Sequence, residues 1–199
     1  AGQIKRANMG GPGAPSVAAQ RDVYICGGEK DVFRPPFTWH IFRYAEIRGA
    51  KNLLASNAIR RDVISMVSLD ENKTLGDTIK ILNKDLQAIH KLCRRTFQAN
   101  LIGGVQSDCP GRERLGYGGD IVSTYEAYIL NFDMREIYLK ILKDFADEAK
   151  DGWITETAPY VGIKDSGFGK RAGPISWALA VPELIGALLK HYKEERALD

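Results

Sequence analysis

The strongest constraint on the fold of this chain is a run of apolar residues that recur every three or four positions. The run comprises Leu75, Ile79, Leu82, Leu86, Ile89, Cys93 and Phe97. This spacing places all of them on one face of an α-helix. Thr74, followed three residues later by Asp77, resembles a capping box at the helix start. The pattern therefore predicts one helix of about 25 residues.

Apolar periodicity also predicts three further helices. The first begins at or just after Asp120 and runs to about residue 131. The second has Asp133 as its N-cap and stops near residue 152. The third covers about residues 175–192, and we expect Pro182 to kink or split it. A long loop over residues 153–173 separates the last two, and loops of this length are more often functional than idle.

The residues before position 69 have a different character. Residues 1–19 are rich in Gly and Pro and lack periodicity, which predicts a loop or linker. Residues 22–26 and 37–47 are rich in aromatic and β-branched side chains, which is typical of strands. Because two or three strands do not form a stable sheet alone, we interpret residues 20–68 as the end of a β region. The predicted fold is mostly α with a short β region, and residues 69–199 begin a helical domain.

Composition excludes several functional classes. The 28 basic and 25 acidic residues leave a net charge of +3 and are interspersed, so no basic stripe for nucleic acid is predicted. No apolar run approaches the roughly 20 residues that cross a bilayer. Cys26, Cys93 and Cys109 have neither disulfide-framework nor zinc-site spacing. We expect no cofactor, no metal, no nucleic-acid partner and no membrane span, and the sequence assigns no compartment.

The densest group of chemically active side chains lies in the stretch SDCPGRERLGYGGD, residues 107–120. Its charged and aromatic members are Asp108, Arg112, Glu113, Arg114, Tyr117 and Asp120. Carboxylates spaced in this way on a glycine-rich loop can converge without sharing a helix face. An aromatic ring among carboxylates is typical of sites that stack a sugar.

The same stretch has other interpretations. A salt-bridged loop that ties helix ends together remains open. A Ca²⁺ or Mg²⁺ site is disfavoured because the spacing is not that of an EF-hand and the arginines oppose a cation. A phosphate-binding loop is disfavoured because the glycine motifs of such loops are absent and the acids repel anions. Neutral polyols fit the charge pattern best, because carboxylates accept hydrogen bonds from hydroxyl groups.

The motif, extended to VQSDCPGRERLGYGGD and flanked by TFQANL and NFDM, resembles the start of the catalytic domain of bacterial α-L-rhamnosidases, glycoside hydrolase family 78. RDVYIC and FTWHIFRYAEIRG resemble the last β-sandwich strands of that family. DGWITETAPY and GPISWALAVPELI resemble its next helical hairpin. The resemblance covers most of residues 20–193 and implies a partial (α/α)₆ barrel, made of helical hairpins, preceded by terminal strands of a β-sandwich.

The resemblance also implies an activity, which is inverting cleavage of terminal α-L-rhamnose from glycosides or polysaccharides. Glu113 would be the general acid, and Asp108, Arg112 and Asp120 would hold sugar hydroxyls. Tyr117 stands where the family often has Trp and should preserve stacking. We also expect Trp153 to line the cleft.

The chemistry places a condition on this assignment. A general acid must stay protonated until it donates. Adjacent arginines would lower the pKa of Glu113, whereas Asp108 and Asp120 would raise it. The arginine side chains must therefore point elsewhere, and a bidentate pair between Arg112 and Glu113 would exclude the acid role.

An inverting enzyme also needs a base carboxylate roughly 6.5–9.5 Å from the acid. The resemblance implies that this base lies far downstream, beyond Asp199. Glu156 is the only tempting substitute, and we assign its loop to substrate contact or structure instead. We therefore expect an incomplete chain that carries the acid side of the site. The alternative is a non-catalytic carbohydrate-binding or interaction fragment. The expected partner is a rhamnose-containing glycoside, and exposed helix faces predict self-association.

Overall fold

A computed structural model of the chain describes residues 20–27, 33, 40, 46–49, 81–111, 113–162 and 172–199. The chain divides into two compact units. One comprises Ala1–Gly10 and Pro15–Ser68, and the other comprises Gly11–Ala14 and Leu69–Asp199. Among the described residues, no helix has the length and apolar character that a membrane span requires.

In the first unit, the strand predicted over residues 22–26 is wrong. The described residues 20–27 have no regular secondary structure, and Val23 and Ile25 are 67% and 88% exposed. β-Branched residues form a strand only where a neighbouring strand pairs with their backbone, and no described residue does so here. The second predicted strand falls mostly outside the described residues, and His40, Glu46 and Ile47 within it are not in a strand.

The described part of the second unit consists of helices joined by a short hairpin and several loops. In chain order its elements are α1 (Lys84–Asn100), β1 (Leu101–Ile102), β2 (Val105–Gln106), α2 (Gly118–Asn131), α3 (Arg135–Glu148), α4 (Ile175–Ala178) and α5 (Ala180–Ala187). A π-helical turn, Leu188–Tyr192, and a 3₁₀ turn, Glu195–Leu198, complete it. Within the described residues the fold is mostly α, as predicted.

Helix α1 begins later than the sequence pattern predicts. Asn83 is its N-cap, and the Asn83 Oδ1 accepts hydrogen bonds from the backbone N of Asp85 at 2.9 Å and of Leu86 at 3.1 Å. A side-chain oxygen in this position satisfies amide groups that have no partner inside the helix. The predicted capping pair, Thr74 and Asp77, lies outside the described residues.

The predicted apolar face of α1 is only partly buried. Phe97 packs against the core, and its ring lies 4.4 Å from the ring of Tyr128 between centroids. Leu82, Leu86 and Ile89, in contrast, are 84%, 57% and 56% exposed. The apolar periodicity therefore correctly predicts a helix, but the side chains of this face contact the core only near the carboxyl end of α1.

A two-stranded hairpin follows α1, and the sequence pattern did not predict it. Leu101 pairs with Gln106 and Ile102 pairs with Val105 in antiparallel register. The connecting residues are Gly103 and Gly104, with φ angles of 66° and 69°. Two left-handed residues in succession are typical of a type I′ turn, for which a glycine pair suits well.

Helices α2, α3 and α5 bury the core of this unit. Its largest fully buried side chains are Tyr138, Phe132, Phe145, Leu101, Ile121, Met134, Ile141, Leu184 and Leu188. Helix α3 begins at Arg135 with Met134 as N-cap, one residue after the predicted cap, although Asp133 Oδ1 still accepts from the Arg135 N at 3.3 Å. It ends at Glu148 rather than near residue 152.

The last predicted helix is split, as expected from Pro182. Helix α4 ends at Ala178, Leu179 is a turn, and α5 begins at Ala180. Proline lacks the amide hydrogen and its ring crowds the carbonyl four residues earlier, here that of Ala178. The break therefore falls where the proline removes the helical hydrogen bond.

Candidate functional site

The loop that follows β2 comprises the described residues 107–111 and 113–117 and is called the acidic loop below. It is held by hydrogen bonds within itself. Asp108 N donates to Leu115 O, and Leu115 N donates to Asp108 Oδ1, both at 3.0 Å. Arg114 N donates to Cys109 O at 3.1 Å, and Glu113 N donates to Cys109 Sγ at 3.2 Å. Arg114 has a φ of 61°, in the left-handed region that non-glycine residues rarely adopt. These bonds turn the chain back on itself between Asp108 and Leu115.

Two distant stretches meet beside this loop. Tyr117 forms an antiparallel bridge with Thr157, and Gly118 N donates to Glu156 O at 3.1 Å. The bridge places the loop before α2 against the segment that follows the turn after α3. It therefore brings Glu156 to the same region as the acidic loop.

The glycines of the motif permit close packing within the protein. Gly116 O accepts from Ala158 N at 3.0 Å, and a Cβ at Gly116 would collide with the Ala158 carbonyl oxygen. A Cβ at Gly118 would collide with the Trp177 carbonyl oxygen, and one at Gly119 would lie 2.5 Å from the Trp177 indole. Because these glycines have no side chain, Ala158 can pack closely on the loop and Trp177 can pack closely on the amino end of α2.

The phenol of Tyr117 lies in the field of four carboxylates. Tyr117 is buried, and burial is the largest cause that raises its pKa, which reaches about 12. The negative charges of Glu113, Glu156, Asp108 and Asp120 raise the pKa further, in that order of size. Tyr117 therefore keeps its proton throughout the neutral range and can donate a hydrogen bond.

Asp120 lies in the first turn of α2. Burial raises its pKa above the ordinary value, and the charge of Asp108 adds to that effect, while a backbone hydrogen bond opposes it. The raised pKa shows that the two carboxylates share one electrostatic environment. The charge of Asp108 thus disfavours the ionised form of Asp120.

A buried hydrogen-bond chain anchors the backbone at Asp120. Tyr138 OH donates to Gln106 Oε1 at 3.1 Å, and Gln106 Nε2 donates to Thr124 Oγ1 at 2.8 Å. Thr124 Oγ1 donates in turn to Asp120 O at 2.6 Å. Tyr138 and Gln106 are almost completely buried. Because each polar group in the chain has a partner, the network fixes the first turn of α2 relative to β2 and α3.

The structure describes all but one of the sequence-predicted site residues. The charges of Glu113, Asp108 and Asp120 raise the pKa of Tyr117. The charge of Asp108 also raises the pKa of Asp120. Arg112 lies outside the described residues. The roles of all these side chains in a sugar site stay predictions.

Trp153 ends a tight turn and is 45% exposed. It forms a bridge with Lys150, and Asp151 and Gly152 between them have φ angles of 53° and 80°. An Asp-Gly pair with two left-handed residues is a typical hairpin turn. Nothing in this geometry ties Trp153 to the carboxylate cluster, and its place in the cleft stays a prediction.

Glu156 is the residue whose position the sequence did not indicate. The sequence indicates Glu156 only as a substitute base or as part of a loop for substrate contact or structure. The bridge between Tyr117 and Thr157 joins segments far apart in the chain, and no local pattern records that pairing. The only local signal was the polar stretch TET just before Ala158.

Comparisons with known proteins identify the family of this chain. Residues 76–199 match the family model described as the bacterial α-L-rhamnosidase six-hairpin glycosidase domain. The chain belongs to the bacterial α-L-rhamnosidase family. Residues 1–67 match the concanavalin-like domain of bacterial α-L-rhamnosidases. That second match includes residues 1–19, which the sequence analysis assigns to a linker.

Curated relatives and a solved structure have the same family name. An α-L-rhamnosidase of Formosa agariphila is 30% identical over 133 residues, which cover 66% of this chain and 13% of the relative. One of Streptomyces avermitilis is 29% identical over 168 residues, covering 81% and 16%. The structure of α-L-rhamnosidase from Dictyoglumus thermophilum is similar with a TM-score of 0.52 and 28% identity, covering 60% and 13%. This chain thus spans less than a fifth of the length of these relatives.

Proposed function

We propose that this chain carries the general-acid side of an α-L-rhamnosidase active site, in which terminal α-L-rhamnose is cleaved with inversion from glycosides or polysaccharides. The observation that carries the proposal is the loop that folds back between Asp108 and Leu115 beside the bridge of Tyr117 with Thr157. The charges of Asp108, Glu113 and Asp120 all raise the pKa of Tyr117 there. Family membership supports the choice of sugar. The backbone-fixed loop supports a preorganised site.

Glu113 is the proposed general acid. Cleavage of a glycosidic bond requires a carboxylic acid that keeps its proton until the leaving oxygen takes it. Neighbouring carboxylates favour the protonated form of one among them, because two negative charges close together repel. Asp108 and Asp120 are the neighbouring carboxylates in the same motif.

The other groups are proposed to hold the sugar. Carboxylate oxygens of Asp108 and Asp120 accept hydrogen bonds from hydroxyl groups, and the neutral Tyr117 phenol donates one. Arg112 and Trp153 complete the proposed contacts. Inversion also requires a base carboxylate that activates water, and we assign this base to a part of the protein outside the described residues.

A pair of substrates tests the role of Glu113. We expect Glu113→Gln to lower hydrolysis of an unactivated rhamnosyl-glucoside by about 10²–10⁴-fold, the usual contribution of general acid catalysis. The loss on p-nitrophenyl α-L-rhamnopyranoside should be much smaller, because nitrophenolate leaves with little acid assistance. Glu126→Gln, at an exposed position on α2, is the matched control and should leave both rates unchanged.

Two results would contradict the proposal. Equal losses on both substrates would mean that Glu113 does not donate the proton. Folded protein that includes the base, binds L-rhamnose and hydrolyses neither substrate would instead support the non-catalytic carbohydrate-binding function.

A further inference from the structure

The backbone of Glu156 is held from two sides. Its carbonyl oxygen accepts from Gly118 N at 3.1 Å. On the other side, a Cβ at Gly173 would lie 2.7 Å from both the Cα and the N of Glu156, so those backbones are in close contact. The hydroxyl of Thr155 also donates to Thr157 O at 2.8 Å across the residue. The backbone of Glu156 is therefore fixed in position.

The exposure of Glu156 differs from that of its neighbours. Thr155, Thr157 and Ala158 are 1%, 0% and 2% exposed, whereas Glu156 is half-buried. A buried segment thus presents one ionisable side chain that still reaches the surface. This is the arrangement expected of a preorganised ligand-binding residue on a rigid element.

The charge of Glu156 acts on the candidate site. Among the carboxylates that raise the pKa of Tyr117, Glu156 ranks second, after Glu113 and ahead of Asp108 and Asp120. The charge of Glu156 thus acts on the phenol, as the charges of the motif do.

We propose that Glu156 is a sugar-binding residue of this site, which accepts hydrogen bonds from hydroxyl groups of an uncharged saccharide beside Tyr117. The proposal rests on the proposed function of the acidic loop. An ionised carboxylate is an acceptor only, and sugar hydroxyls are donors that match it. Glu156 is a binding residue in this account and takes no part in proton transfer.

The affinity for L-rhamnose tests the proposal, measured by calorimetry or ligand-observed NMR. We expect Glu156→Gln to weaken binding about tenfold or more, since hydrogen bonds to charged groups are among the strongest. Glu156→Asp keeps the charge but withdraws the carboxylate by one methylene, so it should also weaken binding. Glu126→Gln is the control and should leave the affinity within about twofold.

The ring-carbon NMR titration of Tyr117 separates charge from folding. Glu156→Gln should move the Tyr117 pKa from about 12 towards its ordinary value of 10.0, and Glu156→Asp should leave it high. This titration reports whether the Glu156 charge lies beside the phenol in the folded protein, and the L-rhamnose affinity reports whether that charge holds a sugar. If the Gln variant does not fold, the Asp variant still tests the position of the carboxylate.

The outcomes distinguish this proposal from the function on which it rests. Unchanged rhamnose affinity in both Glu156 variants would overturn the role of Glu156 and leave the rhamnosidase proposal intact. If the protein instead binds another neutral sugar and Glu156→Gln weakens that binding, the role of Glu156 stands and the rhamnose assignment fails. No binding of any neutral sugar would overturn both.

Discussion

At the scale of single residues, the candidate site combines groups that hold their protons more tightly than usual. Burial and neighbouring charges raise the pKa of Tyr117 and of Asp120. The phenol of Tyr117 therefore stays neutral, and ionisation of Asp120 costs free energy in the folded protein. Removing the Asp120 carboxylate should therefore preserve or raise stability but lower activity.

Asp120→Asn tests this opposition. The pKa of Asp120 in the folded protein lies above its ordinary value of 3.8, so the folded state binds the proton more tightly than the unfolded state. The resulting stability is present at pH below the ordinary pKa and is lost as pH rises through the raised pKa. Thermal melts should show Asp120→Asn equal to or more stable than the wild type at pH 7.

The advantage of Asp120→Asn should shrink as the pH is lowered towards 4. Rhamnoside hydrolysis should nevertheless fall in this variant, because the asparagine lacks the carboxylate that holds the sugar. A variant that is less stable at pH 7, with a gap that widens on acidification, would contradict the assigned electrostatics.

The sequence predicts that the acids of the loop lie near one another, but it does not predict that Glu156 lies in the same region. Asp108, Glu113 and Asp120 lie within one short motif, so their proximity follows from the local chain. Glu156 is brought to this region by the backbone bridge between Tyr117 and Thr157, which joins segments far apart in the chain. Local periodicity carries no information about such a contact.

At the scale of elements, helices were predictable and strands were not. The predicted helices over residues 120–131 and 133–152 correspond to α2 and α3, with errors of a few residues at their ends. A period of 3.6 is a strong signal over three or four turns. The hairpin Leu101–Gln106 has strands of two residues, too short for alternation, and the Gly103-Gly104 pair was its only signal.

The amino end of α2 gives a sharp prediction about packing. Gly118→Ala would direct a methyl group into the Trp177 carbonyl oxygen. Overpacking of this kind costs about 1–3 kcal/mol, and the clash is with backbone, which yields less than a flexible side chain. Chemical denaturation should therefore show a clear loss of stability, accompanied by weaker sugar binding.

Gly186→Ala is the matched control for that substitution. Gly186 lies within α5, and a Cβ there would have no neighbour within 4 Å. Alanine in a helix interior should stabilise the protein by about 0.4–1 kcal/mol. Equal effects of the two substitutions would mean that the contact between α2 and Trp177 is not tight in solution.

At the scale of the whole molecule, the chain spans less than a fifth of the relatives it matches. The first turns of α1 expose the apolar side chains of Leu86 and Ile89, and Leu82 just before the helix is also exposed. Exposed apolar faces on helices favour association.

We expect the purified chain to self-associate through this face. Sedimentation velocity should show a concentration-dependent increase in mass, and substituting Gln at both Leu86 and Ile89 should reduce it. Leu130→Gln is the control, because Leu130 is 69% exposed but lies on α2. Monomeric behaviour at every concentration, or an equal effect of the control, would argue against the α1 face.

The most direct test of the central claim is a crystal structure of the protein with L-rhamnose. We expect the sugar to lie within hydrogen-bonding distance of Glu113, with its hydroxyl groups donating hydrogen bonds to Asp108 and Asp120. Contact between the sugar and Glu156 would additionally support the further inference. A bidentate pair between Arg112 and Glu113, or a sugar bound away from the acidic loop, would contradict the account.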